Sequence, residues 1–320
     1  MKLIEAVPNI SEASNTENLA CILRELRAIL GQVRLLHVDA NADANRTVLT
    51  FAGQPADVVA ACIALFTTCI KWIDMRAHHG AHPRLGAVDV CPLVPVAEMS
   101  LAEAAAWAEQ LARRVAGKLA VPVYLYEANA RTAQRKNLAF IRRGEYESLP
   151  QKLNILPPDY GPHQFNECVA RTGASVIGAR NFLIAFNVSL NTQDVAAARE
   201  IAAKLREKNG GLPSVKAIGW YMPGYECAQV SFNLTDFHKS NLNNVFEACQ
   251  TEAAARGLSV TGSELIGLVP QEAILNAGKF YAPNEVDENT LIQAAVDHLL
   301  LSKIRPFKAN ERILEKRLLI

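Results

Sequence analysis

The chain has 320 residues, half of them hydrophobic, which suits about two domains because single cores seldom grow beyond about 250 residues. Lys and Arg number 33 against 32 Asp and Glu, and that balance excludes the basic field of a nucleic-acid binder. The N-terminus has no signal-peptide pattern, and no window approaches the ~18 uninterrupted apolar residues of a membrane span; the seven scattered cysteines lack a C-x-x-C pair, so a reducing cytoplasm without disulfides is expected.

In chain order, Leu3–Pro8 reads as a short strand. Ser14 and Glu17 form a capping-box pattern ahead of a helix whose Leu19, Ile22, Leu23, Leu26 and Leu30 keep helical spacing up to Gly31. Val33–Ala40 and Thr47–Ala52 are strands joined by a turn-rich segment. Pro55 opens a buried helix to about Asp74, and Val88–Val96 is a strand whose Pro92 and Pro95 suggest an edge or a bulge. The order is β-α-β-β-α-β. It returns in the second half as Phe182–Leu190, helix Gln193–Lys208, Val215–Tyr221, Ala228–Leu234, helix Asn241–Arg256 and Leu265–Val269. Between the halves lie an Ala-rich helix capped by Ser100 and Glu103, a strand Val121–Tyr126, and an irregular stretch Ala128–Gly178. Thr290–Leu301 reads as a further helix, and Arg305–Ile320 as a tail.

The repeat predicts an α+β fold of two tandem ferredoxin-like (βαββαβ) subdomains with added helices, divided at 1–179 and 180–320. A ferredoxin-like sheet carries helices on one face only. Strand alternation then puts His37 with Asp39, Arg46 with Thr50, and Gln229, Ser231 and Asn233 on the polar sides. A polar substrate cleft between the two open sheets is the expectation.

The densest chemistry is Asp74-Met75-Arg76-Ala77-His78-His79-Gly80-Ala81-His82-Pro83-Arg84-Leu85-Gly86-Ala87-Val88-Asp89, with three histidines on a turn that Gly80 and Pro83 keep from being helical. Imidazoles on a rigid turn suit proton transfer near neutral pH. No cysteine pair or H-E-x-x-H spacing accompanies them, so no metal is expected. Nucleotide-binding glycine loops and a G-x-S-x-G elbow are missing as well.

That block, together with Val7-Pro8-Asn9-Ile10-Ser11-Glu12, Asn45-Arg46-Thr47-Val48, Ile141-Arg142-Arg143-Gly144-Glu145 and Gly178-Ala179-Arg180-Asn181, resembles the formiminotransferase domain of formiminotransferase-cyclodeaminase over essentially the whole chain. The resemblance implies transfer of a formimino group from N-formiminoglutamate to N5 of tetrahydrofolate in histidine breakdown. Tetrahydrofolate would be a co-substrate and the working form a homodimer. It implies His82 as the catalytic histidine and Gly161–Gly173 as the folate-binding segment, with Gly161, Pro162, Phe165 and Gly173 as candidate contacts. The chain ends at Ile320, so a stand-alone transferase with a separate cyclodeaminase is expected. With that chemistry in view, Asp39 is a candidate acidic partner for the imidazole or the cationic amidine. Arg46, Arg84 and Arg180 are candidates for substrate carboxylates, and Gln229 and Asn233 for the pterin or an amide. Formyl transfer from N-formylglutamate and a non-catalytic folate or amino-acid sensor are the competing readings.

Overall fold

A computed structural model describes residues 2–319. The chain forms two compact units, the first running through Asn181 and the second from Phe182.

In the first unit, β1 (Leu3–Ala6) and β2 (Asn9–Ile10) are two pieces of one strand, interrupted at Val7-Pro8. The helix α1 (Thr16–Ile29) leads to β3 (Arg34–Asn41), β4 (Arg46–Gly53), α2 (Pro55–Trp72), β5 (Val88–Ala97), α3 (Leu101–Leu119) and β6 (Val123–Leu125). Three short helices follow, α4 (Leu138–Arg142), α5 (Leu149–Ile155) and α6 (Glu167–Thr172), before β7 (Ser175–Ala179). Both pieces of the first strand pair antiparallel with β4 on one side and β5 on the other. The sheet then continues through parallel β5–β7 and β7–β6 pairs, and β3 closes the far edge on β4.

One face is covered by α1, α2 and α3, whose Ile22, Leu26, Val58, Leu65, Ala108 and Leu111 bury Ile4, Phe51, Cys91 and Ile177. Among the described residues α2 alone has the length and apolarity to cross a membrane by composition; its Val58, Val59, Cys62, Leu65 and Phe66 are spent on this core. Ile141 and Leu149, from α4 and α5, cover the β5–β7–β6 half of the other face by packing on Val90, Tyr124, Tyr126 and Val176.

The second unit comprises β8 (Ile184–Leu190), α7 (Val195–Leu205), β9 (Val215–Met222), β10 (Cys227–Leu234), α8 (Leu242–Ala254) and β11 (Val260–Ile266). Its antiparallel order β11-β8-β10-β9 is the ferredoxin-like arrangement. Beyond it lie α9 (Gln271–Tyr281), α10 (Glu288–His298), α11 (Ala309–Arg312) and α12 (Leu314–Leu319). Ala228, Val230, Phe232 and Leu234 alternate into a core with Ile201, Phe246, Ile274 and Ile292.

Several expected boundaries shift. The N-cap of α1 is Asn15, whose side chain accepts from the N–H of Glu17 and Asn18, whereas Ser14 Oγ donates to Asn45 Oδ1 at 2.9 Å. β5 is interior rather than an edge; the register slips where Pro95 faces Ile4, and the Pro92 carbonyl accepts from Val7 N–H. The last strand falls at Val260–Ile266, earlier than Leu265–Val269, because its Ser263 and Glu264 are buried polar residues that hide the apolar pattern. The 128–178 stretch, expected to be irregular, runs into the interior strand β7, which lies between β5 and the edge strand β6, and α9 is an added helix that follows Pro270.

Candidate active site

The histidine turn is fastened to the β3–β4 turn. Asn45, in left-handed backbone at φ 45°, accepts on Oδ1 from the N–H of Ala13 and Ser14, each at 3.0 Å. Its Nδ2 donates to the His79 carbonyl at 2.8 Å, and Ala81 N–H donates to the Asp43 carbonyl at 3.2 Å. One side chain thus joins three loops. Asn45→Ala should therefore cost about 2–4 kcal/mol in denaturant unfolding, because it strands the buried N–H of Ala13, removes the acceptor of the part-buried Ser14 N–H and puts alanine in left-handed backbone; an unchanged midpoint would refute that joint.

His82 is half-buried, and its Nδ1 lies 2.8 Å from the Pro83 carbonyl. A carbonyl can only accept, so Nδ1 carries the proton and the lone pair of the neutral ring sits on Nε2. Burial lowers the pKa of His82 well below the usual histidine value, and Arg46 and Arg142 lower it further against the opposing charge of Asp89. The ring is therefore neutral at physiological pH.

Asp89, fully buried, ties this neighbourhood together. Its Oδ2 accepts from Arg46 Nη1 at 2.7 Å and from Arg142 Nη2; its Oδ1 accepts from Leu85 N–H at 2.8 Å and from Arg142 Nε at 3.3 Å. Burial alone would raise its pKa, but Arg142 and Arg46 override that and hold it at about 2. Arg46, whose Nε donates to Asn9 Oδ1 at 3.0 Å, has its own pKa lowered by burial to about 10 and stays cationic. Arg142 ends α4, and beneath it the buried Lys152 Nζ donates to the Ile141 carbonyl at 2.7 Å.

Arg84 lies in a separate network. Nε donates to His78 Nδ1 (3.3 Å), Nη2 to the His78 carbonyl and to Glu147, and Nη1 to Glu145 and Glu147. His78 Nε2 in turn donates to the Asn45 carbonyl at 3.0 Å. All five guanidinium N–H groups are engaged, so Arg84 braces the turn from below instead of offering a fork to a ligand.

The remaining expected residues are distributed as follows. Asp39 is buried, with Oδ2 3.7 Å from His37 Nε2. Arg180 donates from Nη1 to the Asn181 carbonyl at 2.9 Å. The 161–173 segment is clamped at both ends: Gly161 and Gly173 have φ of +89° and +66°, and a Cβ on them would lie 2.4 Å from the Val121 carbonyl oxygen and 2.2 Å from that of Leu85. Between the clamps Pro162 is half-buried and Phe165 exposed.

In the second unit Asn233 is exposed, whereas Gln229 is fully buried. Gln229 Nε2 donates to Ser189 Oγ (2.9 Å) and Glu264 Oε1 (3.3 Å), and its Oε1 accepts from Trp220 Nε1. Glu264 also accepts from Asn187, Tyr225 and Arg305. Sequence reading did not single out Asp89, Arg142, Asn45 or Glu264. Asp89, Arg142 and Asn45 do stand in the motifs quoted above, the histidine block, Ile141-Arg142-Arg143-Gly144-Glu145 and Asn45-Arg46-Thr47-Val48.

Two βαββαβ units, one bearing a neutral histidine on a braced turn beside an arginine–aspartate cluster, define a two-subdomain α+β protein. The sequence matches the formiminotransferase domain, N-terminal subdomain, over residues 3–180, and the formiminotransferase domain over residues 185–319. The chain belongs to the formiminotransferase family. It is 44% identical to the formimidoyltransferase-cyclodeaminase of Sus scrofa across 98% of its own length and 59% of that protein's. It is 37% identical to proteins named glutamate formimidoyltransferase from Streptococcus pyogenes serotype M1 and Thermoplasma acidophilum. In each case it covers 93% of itself and 99% or 98% of the relative.

Proposed function

We propose that this chain is a glutamate formimidoyltransferase, moving the formimino group of N-formiminoglutamate to N5 of tetrahydrofolate with His82 as base and then acid. The observation that carries the reading is a depressed-pKa imidazole whose Nδ1 proton is committed to Pro83, within a chain that covers nearly all of two relatives bearing that name. As N5 bonds to the amidine carbon its proton passes to His82 Nε2. The tetrahedral intermediate then collapses as the same proton moves to the glutamate nitrogen, which leaves. One group handles both transfers, and no net proton is gained or lost.

Asp39, buried near His37, would stabilise the cationic amidine. Phe165, exposed on the clamped 161–173 segment, offers a ring for the pterin. Arg180, Gln229 and Asn233 remain candidates for the polar ends of the substrates. Arg84 serves as the brace of the His78 turn. The working form would be a cytoplasmic homodimer; the seven free cysteines agree with a reducing compartment.

The test is absorbance-monitored turnover with tetrahydrofolate and either N-formiminoglutamate or N-formylglutamate. Turnover with the formimino donor is expected. Turnover with the formyl donor alone would reassign the reaction, and folate binding without turnover of either would leave a sensor.

A further inference from the structure

Around Asp89 the hydrogen-bonding capacity is uneven. The aspartate is saturated by four donors, from Arg46, Leu85 and the two of Arg142. Each arginine, by contrast, keeps a terminal nitrogen, Nη2 on Arg46 and Nη1 on Arg142, that donates to no protein group among the described residues. Neither nitrogen is among the fully buried orphan atoms, so both reach accessible space. Two guanidinium charges against one carboxylate leave the cluster at net +1, in a place where burial weakens solvent screening. One excess positive charge with two outward N–H groups matches a monoanionic carboxylate better than a dianionic phosphate.

Resting on the reading above, we propose that Arg46 and Arg142, splayed about Asp89, form a carboxylate seat beside His82 that receives a carboxylate of the substrate pair. Its source is either the amino-acid donor or the glutamyl group of the folate. Asp89 sets the spacing of the two forks and is a positioning residue; Arg142 is the substrate-touching member that the fold adds from α4. The seat also couples binding to chemistry. Empty, its excess charge opposes the imidazolium that His82 must become. Filled by an anion, it is neutral and that opposition falls away, so the base strengthens when substrate is present.

The decisive measurement is calorimetric titration of glutarate, a dicarboxylate with neither amidine nor pterin, into the wild-type protein and Arg142→Gln. Binding weakened by about tenfold or more in the variant is expected, from loss of a charge-assisted contact. Equal affinity in the two would overturn the seat. Arg142→Lys provides a second, charge-conserving variant; it should recover part of the affinity, and a folded Lys variant no tighter than Gln would also count against a fork-shaped site. Kinetics identify the source. A raised KM for the amino-acid donor assigns the seat to it, and a raised KM for tetrahydrofolate but not for tetrahydropteroate assigns it to the folate tail. Wild-type protein that binds glutarate yet transfers nothing would refute the transferase reading and leave the seat standing.

Discussion

Replacing His82 by alanine should lower kcat by about 10²–10⁴-fold, the usual contribution of a positioned general base, while leaving both Michaelis constants within a small factor. The turn is held by Asn45 and by Arg84, whose hydrogen bonds do not involve the His82 ring, so it should survive the removal. Loss of kcat together with loss of the thermal transition would mean the histidine is structural.

The pH dependence makes the same point with a definite sign. In the proposed mechanism the neutral ring is the active form, so activity should be present above the pKa of His82 and lost as pH falls through it. Burial and the two arginines lower that pKa. Hence kcat/KM should stay level between pH 7 and 6, where an unperturbed histidine of about 6.5 would already be losing activity. Removing one of the lowering charges with Arg142→Gln should move the acid limb upward. A wild-type profile that breaks near 6.5 would show the ring to be solvated.

Gly173→Ala should be among the most damaging single substitutions in the first unit. Gly173 sits in left-handed backbone and faces Gly86 across an antiparallel bridge. Its added Cβ would fall 2.2 Å from the Leu85 carbonyl oxygen and 2.4 Å from Gly86 Cα, both main-chain atoms that cannot swing aside. Strain and forced separation together should cost roughly 3–5 kcal/mol or more. The same bridge carries hydrogen bonds from Ala87 N–H to Thr172 and from Ala174 N–H to Leu85, at 2.9 and 3.0 Å. Opening it displaces the strand that presents Asp89. Urea unfolding should show the loss directly, and residual folded protein should have weakened substrate binding. A variant with wild-type stability would mean that this crossing can spread without cost.

Much of the fold was readable because local pattern and tertiary role agree. In β10 every second residue is apolar, and Ala228, Val230, Phe232 and Leu234 are all buried. The helices after Pro55 and Ser100 begin where their caps place them. Where pattern and role diverge, the sequence misleads. β11 buries Ser263 and Glu264 on the strength of hydrogen bonds made by distant residues, so its alternation is invisible along the chain. β7 is five residues long and buried throughout, which removes the period-two signal.

The site divides the same way. The histidine turn is legible from composition and turn geometry, and the family resemblance is what points to His82 on it. The strand phase of Gln229 was read correctly as polar, but nothing local reveals that its amide is consumed by Ser189, Glu264 and Trp220. Arg84 reads as a ligand fork until its five donors are traced to His78, Glu145 and Glu147.

The insertion of β7 between β5 and β6 has a bearing on how the protein is born. Asp89 and Arg46, 43 residues apart, can meet as soon as the first βαββαβ segment is made, but Arg142 lies 53 residues beyond Asp89. At a synthesis rate of about 5–20 residues per second, that interval is roughly 3–10 s. Throughout it the nascent first unit carries an aspartate with one arginine in place of two, and the β5 edge that β7 will occupy stands open. A growing sheet with an unpaired, apolar interior edge invites pairing with another chain. Translation pauses and chaperone capture should therefore cluster between the completion of β5 and the arrival of Ser175–Ala179, and expression yield should be most sensitive to codon changes in that interval.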